Sequence, residues 1–123
     1  MGPVPAISNH TSAYRDEHLA MDFEHQSAIL DNQRMLLTRK EYDLLSLLVR
    51  HAGEIIPRDA LLLQVWGYGA EIRTRTLDVH VRRLRKKLGG YADQYIETIF
   101  GIGYRFQPYH APRYFQPAVA MGA

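Results

Sequence analysis

At 123 residues the chain is sized for one domain around one modest core. Its 46% hydrophobic and 23% charged residues suit a globular protein, and the lack of cysteine excludes disulfides and thiolate metal sites. Net charge is only +2, but residues 1–60 hold six Lys/Arg against nine Asp/Glu, while residues 61–123 hold nine against four, a polarity that steers one end toward an anion.

Residues 1–13 contain two prolines and no periodic pattern, and are expected to form a flexible tail. The N-terminus MGPVPAISNH lacks the charged and apolar regions of a signal peptide. No apolar run approaches the ~18 residues of a membrane span. From Leu19 to Leu37 short apolar runs alternate with turn signals. Leu19, Met21 and Phe23 alternate with Ala20 and Asp22, Ser27 to Leu30 is a second strand, and Arg34 to Leu37 a third, reached through an Asp31-Asn32 turn. Tyr14 to Glu17 adds an edge strand. So small a sheet needs a cover.

Thr38-Arg-Lys-Glu41 reads as a capping box. The helix it starts, Arg39 to Ala52, groups Tyr42, Leu45, Leu48, Val49 and Ala52 on one face, with Leu44 and Leu47 widening it, and Gly53 ends it. Glu54 to Ile56 is a brief extended link. A second helix runs from Arg58 to Trp66, with Pro57 standing where a capping Ser or Asp is expected. Gly67 to Glu71 is a loop.

The stretch Thr74 to Leu88, TRTLDVHVRRLRKKL, holds six of the fifteen Lys and Arg residues. At 100° per residue Leu77, Val81, Leu84 and Leu88 form one apolar stripe. Arg75, Val79, Arg82, Arg83 and Lys86 lie opposite, with His80 and Lys87 on one flank and Asp78 and Arg85 on the other. A solvated helix mixes charge signs so that i,i+4 pairs form. Here Asp78 is the single acid, placed to pair with Arg82. A helix pinned by leucines and basic outside fits the DNA major groove.

Gly89-Gly90 stops this helix. Tyr95 to Phe100 alternates as a strand, Gly101-Ile-Gly103 turns, and Tyr104 to Phe106 returns. The hairpin tip can reach flanking backbone or minor groove. Gly101-x-Gly103 lacks the helix and Lys of a phosphate loop. Residues 108–123 are expected to be a second tail, which leaves 14–107 as the domain.

Four segments carry a resemblance: LTRKEYDLLSLLV (37–49), VWGY (65–68), RTLDVHVRRLRKKL (75–88) and IETIFGIGYRF (96–106). In this order and spacing they resemble the winged-helix effector domain of the OmpR/PhoB class of bacterial response regulators, over residues 19–107. The resemblance implies an α+β fold: a winged helix-turn-helix with an N-terminal antiparallel sheet, three helices and a C-terminal hairpin wing. It implies a cytoplasmic, two-component transcription regulator that binds double-stranded promoter DNA, as a monomer in isolation and a tandem dimer on direct repeats. Thr74–Leu88 becomes the recognition helix. Val79, Arg82 and Arg83 become base contacts; Arg58, Trp66, Arg75, Thr76, Arg85, Lys86 and Tyr104 phosphate contacts; Thr98 and Phe100 wing positions. The family often has an arginine where Phe100 stands, and Ser where Pro57 stands. The family's receiver domain does not fit before Leu19, so either an excised effector domain, the favoured expectation, or a protein lacking the receiver is expected.

Other chemistries find no candidates. The six histidines (10, 18, 25, 51, 80, 110) show no HxxxH or HExxH spacing, so no metal site is expected. His80 is read as a phosphate contact or a cap on the leucine stripe. No GxSxG, Walker loop or carboxylate pair suggests an enzyme, and no cofactor is called for. The rival reading is a winged-helix protein-interaction module, with the Gly67–Arg73 loop as an RNA polymerase contact.

Overall fold

The computed structural model describes residues 12–67 and 74–110. Four antiparallel strands come first, β1 (Ala13–Arg15), β2 (Leu19–Asp22), β3 (Ser27–Leu30) and β4 (Gln33–Arg34), paired in sequence order. Helix α1 (Arg39–Arg50), strand β5 (Ile55–Pro57), and helices α2 (Arg58–Trp66) and α3 (Thr74–Leu88) follow. A 3-10 turn (Gly89–Tyr91) and a one-turn helix α4 (Ala92–Tyr95) lead into the hairpin β6 (Ile96–Ile99) and β7 (Gly103–Phe106). The expected winged-helix architecture is present, with three departures in detail.

The first departure is β4. Asp31 and Asn32 both adopt positive φ, 48° and 66°, and join β3 to β4 as a two-residue turn of the primed kind. The strand then stops at Arg34 instead of running to Leu37. Met35 donates one more backbone bond to Ala28, and the chain leaves the sheet toward the cap at Thr38. Leu36, expected within a strand, is 82% exposed.

The second departure is β5, read from sequence as a link. Ile55, Ile56 and Pro57 pair with Arg105, Tyr104 and Gly103, so the wing is a three-stranded sheet in the order β5-β7-β6. Gly103 makes this possible: a Cβ there would stand 2.0 Å from the Ile56 carbonyl oxygen. The third departure is the helical passage Gly89–Tyr95, which takes Tyr95 out of the expected strand and buries it.

The capping box forms as expected. The Glu41 N–H donates to Thr38 Oγ1 at 3.2 Å, and Thr38 N–H donates to Glu41 Oε1 at 2.9 Å. Helix α1 ends at Arg50, short of Ala52, and Gly53 takes its positive φ of 88° in the turn beyond. Lys40 Nζ donates to the Val65 carbonyl at 2.8 Å, satisfying an end group of α2.

The core joins both sheets to all three long helices. Tyr14, Leu19, Met21 and Ala28 line the inner side of the first sheet, while Leu44, Leu45 and Leu48 of α1, Leu61 of α2 and Phe106 of β7 are fully enclosed. A polar hub sits at one edge. Asp16 accepts hydrogen bonds from the Tyr14 and Tyr95 hydroxyls and from the backbone N–H groups of His18, Leu19 and Tyr109. Burial, reinforced by this carboxylate, raises the Tyr14 and Tyr95 pKa values well above the usual tyrosine range. Tyr109 also packs against His18, Tyr91 and Tyr95, so the packed chain continues past the expected boundary at 107. At the other end Ala13 belongs to β1. The remainder of both expected tails, and Tyr68 to Arg73 of the expected polymerase loop, lie outside the described residues.

Candidate nucleic-acid interface

Helix α3 is held by the stripe read from sequence. Leu77, Leu84 and Leu88 are 0% exposed and Val81 1%. Each enclosed leucine contributes about 2 kcal/mol. The like-charge neighbours Arg82/Arg85, Arg82/Lys86, Arg83/Lys86 and Arg83/Lys87 oppose helix formation by about 0.2–0.5 kcal/mol per pair. Burial wins by several-fold, so the helix can carry an uncompensated positive face.

That face points to solvent. Arg75, Arg82, Arg83 and Lys86 are exposed, and Val79 among them is half-buried. No hydrogen bond or ion pair to any of these four cations is found among the described residues. The remaining two cations of the helix are engaged. Lys87 Nζ donates to Glu41 Oε1 at 2.6 Å and to the Leu36 carbonyl at 2.8 Å. Burial of Glu41 favours the neutral acid, but Lys87 and the Thr38 cap outweigh it and hold the carboxyl below its ordinary range. This pair ties the end of α3 to the start of α1.

Arg85 faces the wing. Its Nη2 donates to the Ile96 carbonyl at 2.8 Å and to Thr98 Oγ1 at 2.7 Å, and its guanidinium lies 5.7 Å from the Tyr104 ring centre. Its Nε is buried without a partner among the described residues. The sequence reading gave Arg85 and Thr98 to DNA; in the structure they hold each other. The wheel places Arg85 nearer the apolar stripe than its flank-mate Asp78, which is why it is drawn inward.

Asp78 also departs from expectation. Its carboxylate accepts two bonds from Arg58, at 2.7 and 2.9 Å, and one from the Tyr104 hydroxyl at 2.7 Å, so it pairs across elements instead of with Arg82. The Arg58 hydrogen bonds hold the Asp78 carboxyl below its usual range against partial desolvation, with Tyr104 assisting. Burial and the Asp78 hydrogen bond raise the Tyr104 pKa. One acid thus joins α2, α3 and β7. Arg58 and Tyr104, read from sequence as phosphate contacts, have this internal attachment first.

The wing turn closes the arrangement. Ile102 N–H donates to the Ile99 carbonyl at 2.9 Å, and Gly101 between them has φ 77°, as the third residue of a type II turn requires. The Ile102 carbonyl accepts from Arg58 N–H at 3.0 Å. Pro57 gives α2 no side-chain cap, so the wing supplies an acceptor in its place. Phe100 at the tip is 90% exposed.

On the opposite flank, His80 Nδ1 bonds the Thr76 carbonyl at 2.8 Å and its ring meets Trp66 edge-on at 4.9 Å. The histidine is an internal buttress for the half-buried Trp66. Asp22, Glu24 and His25 are grouped closely enough for a metal ion, but they lie on an exposed turn where His25 already bonds Asp22 through backbone and ring. Among the described residues no helix is long and apolar enough to cross a membrane.

Two helices, the second leading with free cations and braced by a three-stranded hairpin sheet, define a winged helix-turn-helix domain. The chain belongs to the family described as "Transcriptional regulatory protein, C terminal", which it matches over residues 32–106. It is 45% identical over 89 residues to the transcriptional regulatory protein HprR of Escherichia coli K12, covering 72% of this chain and 40% of HprR. Its structure resembles the Thermotoga maritima OmpR/PhoB homologue DrrB with a TM-score of 0.72 at 30% identity, over 78% of this chain and 44% of DrrB. It also resembles the Klebsiella pneumoniae RstA DNA-binding domain, solved in complex with the RstA box, with a TM-score of 0.70 at 32% identity, over 79% of this chain and 98% of that domain. The chain therefore spans about two fifths of the length of HprR and DrrB.

Proposed function

We propose that this domain binds double-stranded DNA in a sequence-dependent way and serves as the output half of a bacterial response regulator. Helix α3 enters the major groove and the wing lies on the flanking backbone. The observation that carries the reading is the set of four exposed α3 cations without an internal partner among the described residues. The RstA domain, alike in fold and family, is solved on its DNA box. Val79, Arg82 and Arg83 read bases: the valine suits a thymine methyl and the arginines suit guanine edges. Arg75, Lys86, Thr76 and the Trp66 indole reach phosphates. Arg58, Arg85, Thr98 and Tyr104 chiefly hold the wing against α3. Pairing of two copies on direct repeats, and a polymerase contact through the loop after α2, extend the proposal.

The test is a salt titration on a duplex selected from a random pool. Between two and four phosphates neutralised by the exposed α3 cations give log K falling against log salt with a slope of about −2 to −4. Weak binding at every salt concentration, with no preference for the selected duplex, would refute it in favour of a protein-interaction module.

A further inference from the structure

Trp66 is the single tryptophan of the chain. It is the last residue of α2 and is half-buried. Its indole is held from α1 and from α3. On the α1 side, Lys40 Nζ lies 6.0 Å from the ring centre while donating to the Val65 carbonyl. On the α3 side, the His80 ring meets it edge-on at 4.9 Å and 78°. His80 is itself tied back, with Nδ1 2.8 Å from the Thr76 carbonyl one turn earlier. A carbonyl only accepts, so Nδ1 carries the proton. The imidazole is thus fixed at two points, one on the backbone of its own helix and one on the indole. The indole N–H, by contrast, has no acceptor among the described residues and is not sealed from solvent. A donor that is fixed in place and left open suits a phosphate oxygen, the kind of contact that sets register on a duplex.

We propose that His80 is a positioning residue for DNA binding: hydrogen-bonded to Thr76, it aims the Trp66 indole N–H at a phosphate, and its effect on DNA passes through the indole. The inference rests on the DNA-binding reading and adds to it the link by which α3 sets a contact made from α2. The other role for the same ring is a phosphate contact of its own. The hydrogen bonding argues against that role. With the proton on Nδ1 spent on Thr76, the neutral ring offers only an acceptor at Nε2, which a phosphate oxygen cannot use.

The experiment is a double-mutant cycle on the selected duplex at fixed salt, with wild type, His80→Ala, Trp66→Phe and the double variant. Trp66→Phe keeps an aromatic ring and removes the N–H. Each single variant is expected to weaken binding about tenfold, the loss of one hydrogen bond to a charged group. The double variant is expected to lose no more than either single one, because both changes remove the same contact. His80→Asn keeps a donor for the Thr76 carbonyl without the ring, and His80→Phe keeps a ring without the donor; both should fall between His80→Ala and wild type. In the free protein the lone indole reports on itself: His80→Ala is expected to raise its quenching by acrylamide and lower its fluorescence anisotropy. Binding is compared below the melting range of every variant, and His80→Asn replaces His80→Ala in the cycle if the alanine variant does not fold. Losses that multiply to about a hundredfold in the double variant overturn the proposal and give His80 a duplex contact of its own. Wild-type affinity in His80→Ala, or unchanged indole fluorescence, overturns it too. If wild type itself shows no salt-dependent duplex binding, the DNA reading fails and the proposal with it.

Discussion

Replacing Asp78 by Asn tests whether one carboxylate sets the geometry of the interface. The side chain keeps its shape and loses its charge. Two contacts weaken: the forked bond to Arg58 and the bond from the Tyr104 hydroxyl. Side-chain exposure is 27% for Arg58 and 47% for Asp78, so the ion pair is screened and contributes no more than about 1 kcal/mol. The tyrosine bond to a charged acceptor adds about 1.5 kcal/mol, part of which the Asn oxygen retains by accepting from one partner. A net loss of about 1 kcal/mol is expected, which for a domain of this size lowers Tm by about 4–8 °C.

The pH dependence identifies the group. The Asp78 pKa is depressed in the fold. Its stabilisation is therefore complete above its unfolded pKa of about 3.9 and is lost as pH falls through the lower folded value. The difference between wild type and Asp78→Asn, measured by urea unfolding from pH 7 to pH 2.5, is expected to narrow steadily once the pH drops below about 3.9. Asp22, Asp31, Glu41 and Glu97 are depressed in the same sense, so wild type itself weakens in acid. Only the difference isolates Asp78. Equal stability of the two proteins at pH 7, or a gap that does not narrow between pH 7 and pH 2.5, would refute the reasoning.

Three further substitutions separate reading, bracing and packing. Arg83→Ala should reduce preference for the selected duplex over random DNA by about 1–3 kcal/mol while leaving non-specific binding nearly intact; equal loss on both duplexes, in a competition gel shift, rejects base reading. Arg85→Ala removes two bonds from a charged donor to the wing, so urea unfolding should show a loss of about 2 kcal/mol, and an unchanged midpoint would show that the wing does not depend on it. Gly103→Ala forces a Cβ to within 2.0 Å of the Ile56 carbonyl. Separation of β5 from β7 is expected, visible as rapid amide exchange at Ile56 and Tyr104, and retained protection there would contradict the close approach.

Local pattern was enough for much of this protein. The leucine stripe of α3, the Thr38–Glu41 cap, the Asp31-Asn32 turn and the hairpin around Gly101 were legible because each depends on residues within a few positions of one another, where helical and strand periods fix which side chains share a face. The exposed cations followed from the same wheel, since whatever lies opposite a buried stripe must face water. What the sequence could not assign was the partner of each charge. Asp78 and Arg82 have the spacing of a helical pair, yet Asp78 turns to Arg58 and Tyr104, 20 and 26 positions away. The wheel sets Arg85 on a flank of α3, but its partners Ile96 and Thr98 follow only from β6 lying against it. The β5 strand, with three residues and no alternation, is a strand only because β7 lies beside it, and Gly103 is obligatory for the same reason. Short-range sterics and hydrophobic period determined the elements and the outward basic face. Which cations are left for a partner was decided by tertiary packing, because ion pairs and sheet edges form between segments whose separation along the chain carries no information about their separation in space.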